Sequence, residues 1–361
     1  MNYIGKEGVR LYLAGGNNYD VLGAGVENLP TTAANPNNPC PTPTPSIPCL
    51  TNYVTNPFAA VNGGPISDPN SILSSPTVQA VQLELPYPEF TSVTTDVPPT
   101  ANASYNALQI TASKHYSNGL ELMVSYTWSK SIDESSMYDT NVAWLGNYGS
   151  NSGYALADPN KPQLERALST FDVPQMLKFS YSYDLPIGRG KALLGNMPRV
   201  LDAMIGGWKT NGIWELHSGR PLSFFTSNGG TSLPTYGPQT AELVGKPERS
   251  HGSDSYWVNN YFSNPQVVQV PAPYTLGNAG RTTGSIRTPT SFTSDLSIAK
   301  QFLLSNVHEG VRLELRLEAQ NALNHPVFGT PDTYAGDPNF GVTNYLAVNP
   351  RQCQLAIKIV F

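Results

Sequence analysis

An all-β, antiparallel fold is predicted by three features of this sequence. Apolar and polar residues alternate over several separate stretches, which puts one kind of side chain on each face of an extended strand. Between those stretches lie turn-forming residues, with 31 Gly and 32 Pro in 361 positions and abundant Asn, Ser and Thr. Aromatic and β-branched residues fill the alternating stretches, as strands favour. Only 13% of residues are charged, about half the usual share. With a net charge of −5 and no cluster of Lys and Arg, the composition argues against nucleic acid as a partner. No window approaches the roughly 18 apolar residues of a membrane-crossing helix, so any crossing must be made by strands.

Taken in order, Val9, Leu11 and Leu13 alternate with Arg10 and Tyr12 and predict a short strand over 8–14. Residues 15–104 carry no sustained period and read as one long loop, which includes CPTPTPSIPC. Strands are next expected at 105–116 and 120–130, joined by Ser117, Asn118 and Gly119. Asn-Gly between alternating runs is the strongest short hairpin signal. Leu120, Leu122, Val124, Tyr126 and Trp128 share one parity, and Leu108, Ile110 and Ala112 do so in the preceding run. After a loop at 131–170, Leu177, Phe179, Tyr181 and Tyr183 alternate with Lys178, Ser180, Ser182 and Asp184 until Pro186.

A moderate connection follows, in which Arg199 to Ile205 predicts a helical turn or two. Trp208 to Phe224 reads as one long strand, bent at Gly219 and Pro221, with Ile213 breaking the pattern. Beyond a loop at 227–290, Phe292, Leu296, Ile298 and Phe302 share a parity in which Lys300 is out of place. The clearest strand has Val311, Leu313, Leu315, Leu317 and Ala319 on one side and Arg312, Glu314, Arg316, Glu318 and Gln320 on the other. A loop at 324–350 leads to RQCQLAIKIVF, where Cys353, Leu355, Ile357, Ile359 and Phe361 oppose Gln352, Gln354, Ala356 and Lys358.

Connections alternate between long and short along the whole chain. That is the pattern of a transmembrane barrel, with long extracellular loops, short periplasmic turns and strands of about 9 to 11 residues. Aromatics at strand ends (Tyr116, Trp128, Trp208, Phe292, Phe302, Phe361) suit interfacial girdles. The expectation is therefore an antiparallel transmembrane β-barrel segment of about eight strands. Leu313, Leu315, Leu317, Leu355, Ile357 and Ile359 are expected to face lipid. Arg312, Glu314, Arg316, Glu318, Lys178 and Lys358 are expected to form the lumen wall. Alternation alone also describes a soluble antiparallel sheet with one wet face. The loop lengths, aromatic strand ends and apolar last strand favour the membrane.

Little points to chemistry. The five histidines, His115, His217, His251, His308 and His325, are scattered, with no zinc-protease, nucleophile-elbow or phosphate-loop motif, so no enzyme, no cofactor and no metal is expected. Gly277, Gly280 and Gly284 match a dinucleotide fingerprint only in spacing. Asp133 with Glu134, or Asp332 with Asp337, read as solvated surface in preference to a calcium site. Cys40 and Cys49 bracket a Pro/Thr segment and are candidates for a loop disulfide, whereas Cys353 reads as a small apolar residue. The opening MNYIGKEGVRLYLAGG lacks a signal peptide's basic and apolar regions, although a barrel must be exported, so Met1 is not expected to be the native start.

Four stretches, 105–133 (YNALQITASKHYSNGLELMVSYTWSKSID), 205–224 (IGGWKTNGIWELHSGRPLSF), 318–331 (EAQNALNHPVFGTP) and the terminal NPRQCQLAIKIVF, resemble the C-terminal barrel of TonB-dependent outer-membrane receptors. The resemblance points to the Oar-like group with a carboxypeptidase-regulatory-like domain and extends over nearly the whole of 1–361. It implies a barrel of about 22 strands, closed by a plug that contacts TonB, of which this chain is the last third. Plug, TonB segment and signal peptide are absent from these residues. The implied function is energy-coupled uptake of an unknown small ligand through the TonB, ExbB and ExbD complex, with Phe361 read by the barrel assembly machinery. Two rival readings stand beside it: a soluble or surface β-protein that binds carbohydrate or adheres, and a small stand-alone structural barrel.

Overall fold

The computed structural model describes residues 1–11, 17–22, 53–69, 71–90, 93–95, 99–136, 161–226, 240–271, 276–303 and 311–360. Eight long strands run in sequence order across one sheet: β1 (Asn2–Leu11), β2 (Ala101–Ser117), β3 (Leu120–Asp133), β4 (Gln175–Asp184), β5 (Trp208–His217), β6 (Ser291–Leu303), β7 (Arg312–Gln320) and β8 (Gln352–Val360). Every neighbouring pair is antiparallel. A ninth, two-residue strand, Ala167–Leu168, adds to the loop end of β3. The sheet is not closed, since β1 and β8 stand at opposite edges.

Local chemistry explains the pairings. Asn118 and Gly119 both take positive φ, 53° and 77°, the pair of values that a two-residue type I′ hairpin turn requires. Ser117 and Leu120 pair directly across it. Because directly opposed side chains share a face, the register aligns the apolar parities of β2 to β8. Val124 stands opposite Phe179, which stands opposite Trp214, and Leu317 stands opposite both Ile298 and Leu355.

Nothing among the described residues covers much of that apolar face. Leu355 is 72% exposed and Ile357 67%, and Leu317, Ile359, Ile110, Leu177, Leu216 and Trp128 are exposed as well. Each Leu or Ile left in water forgoes roughly 1.5–3 kcal/mol, so a whole row calls for an apolar medium against it. The buried core lies elsewhere. Leu222, Phe224, Ala241, Trp257, Tyr261, Phe262, Val268, Ala279, Ile286 and Ala335 cluster in the connections beyond one end of the sheet. These connections meet at the loop end, and the 117–120 and 185–207 turns lie at the other.

Several sequence expectations need correction. The first strand begins at Asn2, not at 8, and is described as far as Leu11, because backbone pairing with β2 starts from Asn2 opposite Gln109; residues 12–14 of the expected strand lie outside the described residues. The run 208–224 is not one bent strand. β5 stops at His217, and Pro221–Leu222 pairs instead with the strand Thr283–Arg287 in the loop layer. Gly219 permits the departure, since a Cβ there would lie 1.7 Å from the Thr288 carbonyl oxygen. The described residues of stretches 15–104, 227–290 and 324–350 include short paired strands and helical turns, where loop was expected. Lys300 is in register, opposite Trp208 and Leu315 on the apolar face, and it is buried. Cys40, Cys49, His308 and Phe361 lie outside the described residues.

Candidate functional site

The loop end is held together by two arginines that reach across long stretches of chain. Arg281 is buried and pairs with the buried Asp133 carboxylate. Its Nη2 also donates to the Asp133 carbonyl at 2.8 Å, its Nη1 to Ser136 Oγ at 2.7 Å and its Nε to the Glu165 carbonyl at 3.0 Å. Arg287 donates to Asp172 Oδ2 at 2.8 Å and to the Gly219 carbonyl at 3.2 Å. Asp172 in turn accepts from the Ser131 amide at 2.7 Å. Paired and hydrogen-bonded in this way, buried charges offset much of their desolvation cost. The result joins the end of β3 to the connections before β4 and β6. Asp133, expected to be solvated, is a buried member of this clasp.

Aromatic packing fills the space beside it. Trp257 meets Phe328 edge to face at 4.8 Å between centroids, Phe262 stacks on Phe340 at 4.8 Å, and the Arg249 guanidinium lies 5.1 Å from the Trp257 ring. The Tyr261 hydroxyl donates to the Arg287 carbonyl at 2.5 Å, so the core is tied to the clasp. Burial pushes the Tyr261 pKa up to about 12, against a smaller opposing pull from Arg249. The phenol therefore stays neutral and remains a donor.

Asn321 performs a similar task at the end of β7. Its side chain donates to the His325 and Asn349 carbonyls at 3.0 and 3.2 Å and accepts from the His325 amide at 3.0 Å. Asn324 Oδ1 accepts from the Arg351 amide at 3.0 Å. The NALNH stretch thus fixes where β8 begins.

Between clasp and sheet opens a cavity of about 420 Å³, with His217, Arg220, Phe225, Phe328, Tyr334 and Tyr345 among its lining residues. This size and mixture of aromatic walls with a few polar groups is typical of small-molecule sites, which run to roughly 300–1,000 Å³. His217 and Ser291, both lining residues, belong to the polar parity of β5 and β6, so the cavity meets the polar face of the sheet. Burial pulls Arg220 below the usual guanidinium range, from which it still carries its charge at neutral pH. Burial also raises the Asp332 carboxyl, against the Tyr334 amide that donates to it at 2.8 Å. This arrangement can hold a small ring-bearing ligand by stacking and hydrogen bonding. His217 is occupied at Nδ1 by the Ser218 carbonyl, and the His325 ring packs on Phe292.

The charged residues expected to form one wall do share the polar face. Arg316 donates to Glu314 at 2.6 and 3.0 Å and to Glu318 at 3.3 Å, and Glu314 accepts from Gln301 at 2.9 Å. Lys358 stands opposite Glu314, and Lys178 pairs with Glu215 at 3.1 Å. Arg312 is on the same face and exposed. A second cavity, of about 520 Å³, opens on this face at the turn end and is lined by Asp184, Lys209, Glu314 and Arg316 among others. Leu313, Leu315, Leu317, Leu355, Ile357 and Ile359 take the opposite face together.

A protein-family model described as an outer membrane beta barrel domain matches residues 1–354. The chain belongs to this outer membrane beta barrel family. Its place is accordingly the outer membrane, and the open antiparallel sheet is barrel wall. Neither the curated proteins nor the solved structures compared with it give a match. Sequence reasoning missed the barrel's loop layer: Arg281, Arg287, Tyr261 and Trp257 lay in the stretch 227–290 read as loop, and Asp172 fell between the 131–170 loop and the strand expected from Leu177. The available signal was the density of Phe, Tyr and Trp between 224 and 262, which is high for solvated chain.

Proposed function

We propose that this chain is part of the wall of a TonB-dependent receptor of the Oar-like group, and that the intact protein takes up a small ligand through the outer membrane. Hydrocarbon covers Leu313, Leu315, Leu317, Leu355, Ile357 and Ile359. The lumen faces Arg312, Glu314, Arg316, Glu318, Lys178 and Lys358. The loop end lies outside the cell, where the cavity beside His217 and Arg220 contributes to capture. Energy arrives from the TonB, ExbB and ExbD complex through a plug, and Phe361 engages the assembly machinery.

The observation that carries this reading is a folded, aromatic loop layer with a cavity opening onto the polar face of the sheet. A merely structural barrel needs no such layer, and open edges at β1 and β8 suit a piece of a wider wall. The resemblance of the hairpin 105–133 and of NALNH to TonB-dependent receptors supplies the transport class. The test is to read the gene upstream of Met1 and to cross-link the whole protein to TonB in cells. An in-frame plug and a TonB adduct are expected. A signal peptide joined directly to this chain, with no adduct, would overturn the proposal.

A further inference from the structure

The 185–207 connection carries a second apolar surface that the barrel wall does not require. Within it the helix α1 (Arg199–Ile205) has no buried residue. Val200 is 74% exposed and Met204 66%, with Leu201 and Ile205 exposed beside them and Leu193 and Leu194 exposed on the approach. Leu194 adopts φ 57°, a conformation that non-glycine residues seldom take. Turn chemistry favours polar residues in such a connection, so this concentration of Leu, Ile, Val and Met is not explained by the turn itself.

The position of α1 is set by Lys300. This lysine stands on the apolar face at the turn end of β6, and its ammonium donates to the carbonyls of Asp202 at 3.0 Å and Gly206 at 2.5 Å. It also lies 5.6 Å from the Trp208 ring and 5.2 Å from the Phe302 ring. Those bonds hold the end of α1 over the apolar face, outside the wall, at the level of two aromatics expected in an interfacial girdle. The C-terminal end of α1 thus adjoins the apolar face of the sheet. The same connection carries Arg189 and Arg199 against one acid, Asp202, whose Oδ1 accepts from the Arg189 amide at 2.7 Å, while Lys191 lines the cavity on the polar face.

We infer that α1 and the Leu193–Leu194 tip are a membrane-surface anchor that rests in the phospholipid leaflet on the turn side. Val200, Leu201, Met204 and Ile205 enter the boundary between headgroups and acyl chains, and Arg189 and Arg199 meet anionic headgroups. Lys300 is a positioning residue, holding the helix at that depth. The inference rests on the reading that hydrocarbon covers the Leu/Ile face.

The test uses the whole protein with Cys40, Cys49 and Cys353 replaced by Ser, reconstituted in vesicles of phosphatidylethanolamine and phosphatidylglycerol. Spin labels are placed singly through Val200→Cys, Met204→Cys and Ile357→Cys, and collisions with oxygen and with a water-soluble nickel chelate are measured. Val200 and Met204 are exposed, so their replacement removes no packing. At all three sites oxygen is expected to relax the label more than nickel does, with the α1 labels shallower than the one at 357. A lipid signal at 357 with nickel access at 200 and 204 would overturn the anchor and leave the wall reading intact. Nickel access at 357 as well would overturn the wall reading. Exclusion of both reagents at 200 and 204 would show a protein partner or second copy there and would also overturn the anchor.

Discussion

Removing the Arg281 guanidinium would leave Asp133 charged and buried with its main partner gone. Arg281→Ala is therefore expected to lower the stability of the folded barrel by about 3–5 kcal/mol, read by urea unfolding in detergent with tryptophan fluorescence as the probe. Replacing both members, with Arg281→Met and Asp133→Leu, should recover much of that loss, because no charge is then stranded. A loss below about 1 kcal/mol for the single variant would mean that the pair is solvated. None of this was legible in the residues around Arg281. It sits in GNAGRTTG, where the glycines draw attention, and Asp133 is 148 positions away. Asp133 itself read as solvated surface because its local neighbours are polar, and only the folded loop layer excludes water from it.

At the scale of the strand, alternation was legible because a residue's face depends only on its parity. β7 and β8 match their expected faces residue by residue, and their register sets Leu317 against Leu355 and Glu318 against Gln354. The two faces should respond differently to one substitution. Leu317→Arg, near the middle of β7, is expected to cost about 2–4 kcal/mol in folding into lipid vesicles, whereas Gln354→Arg on the polar face should stay within about 0.5 kcal/mol. Equal costs would remove the distinction between a lipid face and a lumen face. Strand ends were less legible. β5 stops at His217 although Leu222 and Phe224 continue its parity, because pairing with Thr283–Arg287 draws the chain into the loop layer. Lys300 looked like an error of phase, yet the carbonyls at the end of α1 satisfy it where it stands.

Across the whole molecule, the unpaired edges of β1 and β8 are the features that the membrane must answer. A backbone group left without a partner in hydrocarbon costs several kcal/mol, so in the outer membrane those edges must meet other strands. The β8 amides that point away from β7 are thus expected to exchange with deuterium as slowly as those that pair with it, in the intact protein in vesicles. Fast exchange along that edge would contradict a lipid-embedded wall. The number of strands and their up-and-down order could be anticipated, since alternating runs and turn residues are local signals. The loop layer could not, because its packing joins Leu222 to Ile286 and Trp257 to Phe328 across segments with no period of their own.

By itself the sequence determined the class, the antiparallel meander and the two faces of each strand, all of which follow from a two-residue period and from turn chemistry such as Asn118-Gly119. The tertiary structure alone decided what the long connections do, which charges are buried and where α1 rests. Those depend on contacts between residues far apart in the chain, and the energy that places them comes from excluding water around Asp133, Tyr261 and Lys300, which no single stretch of sequence encodes.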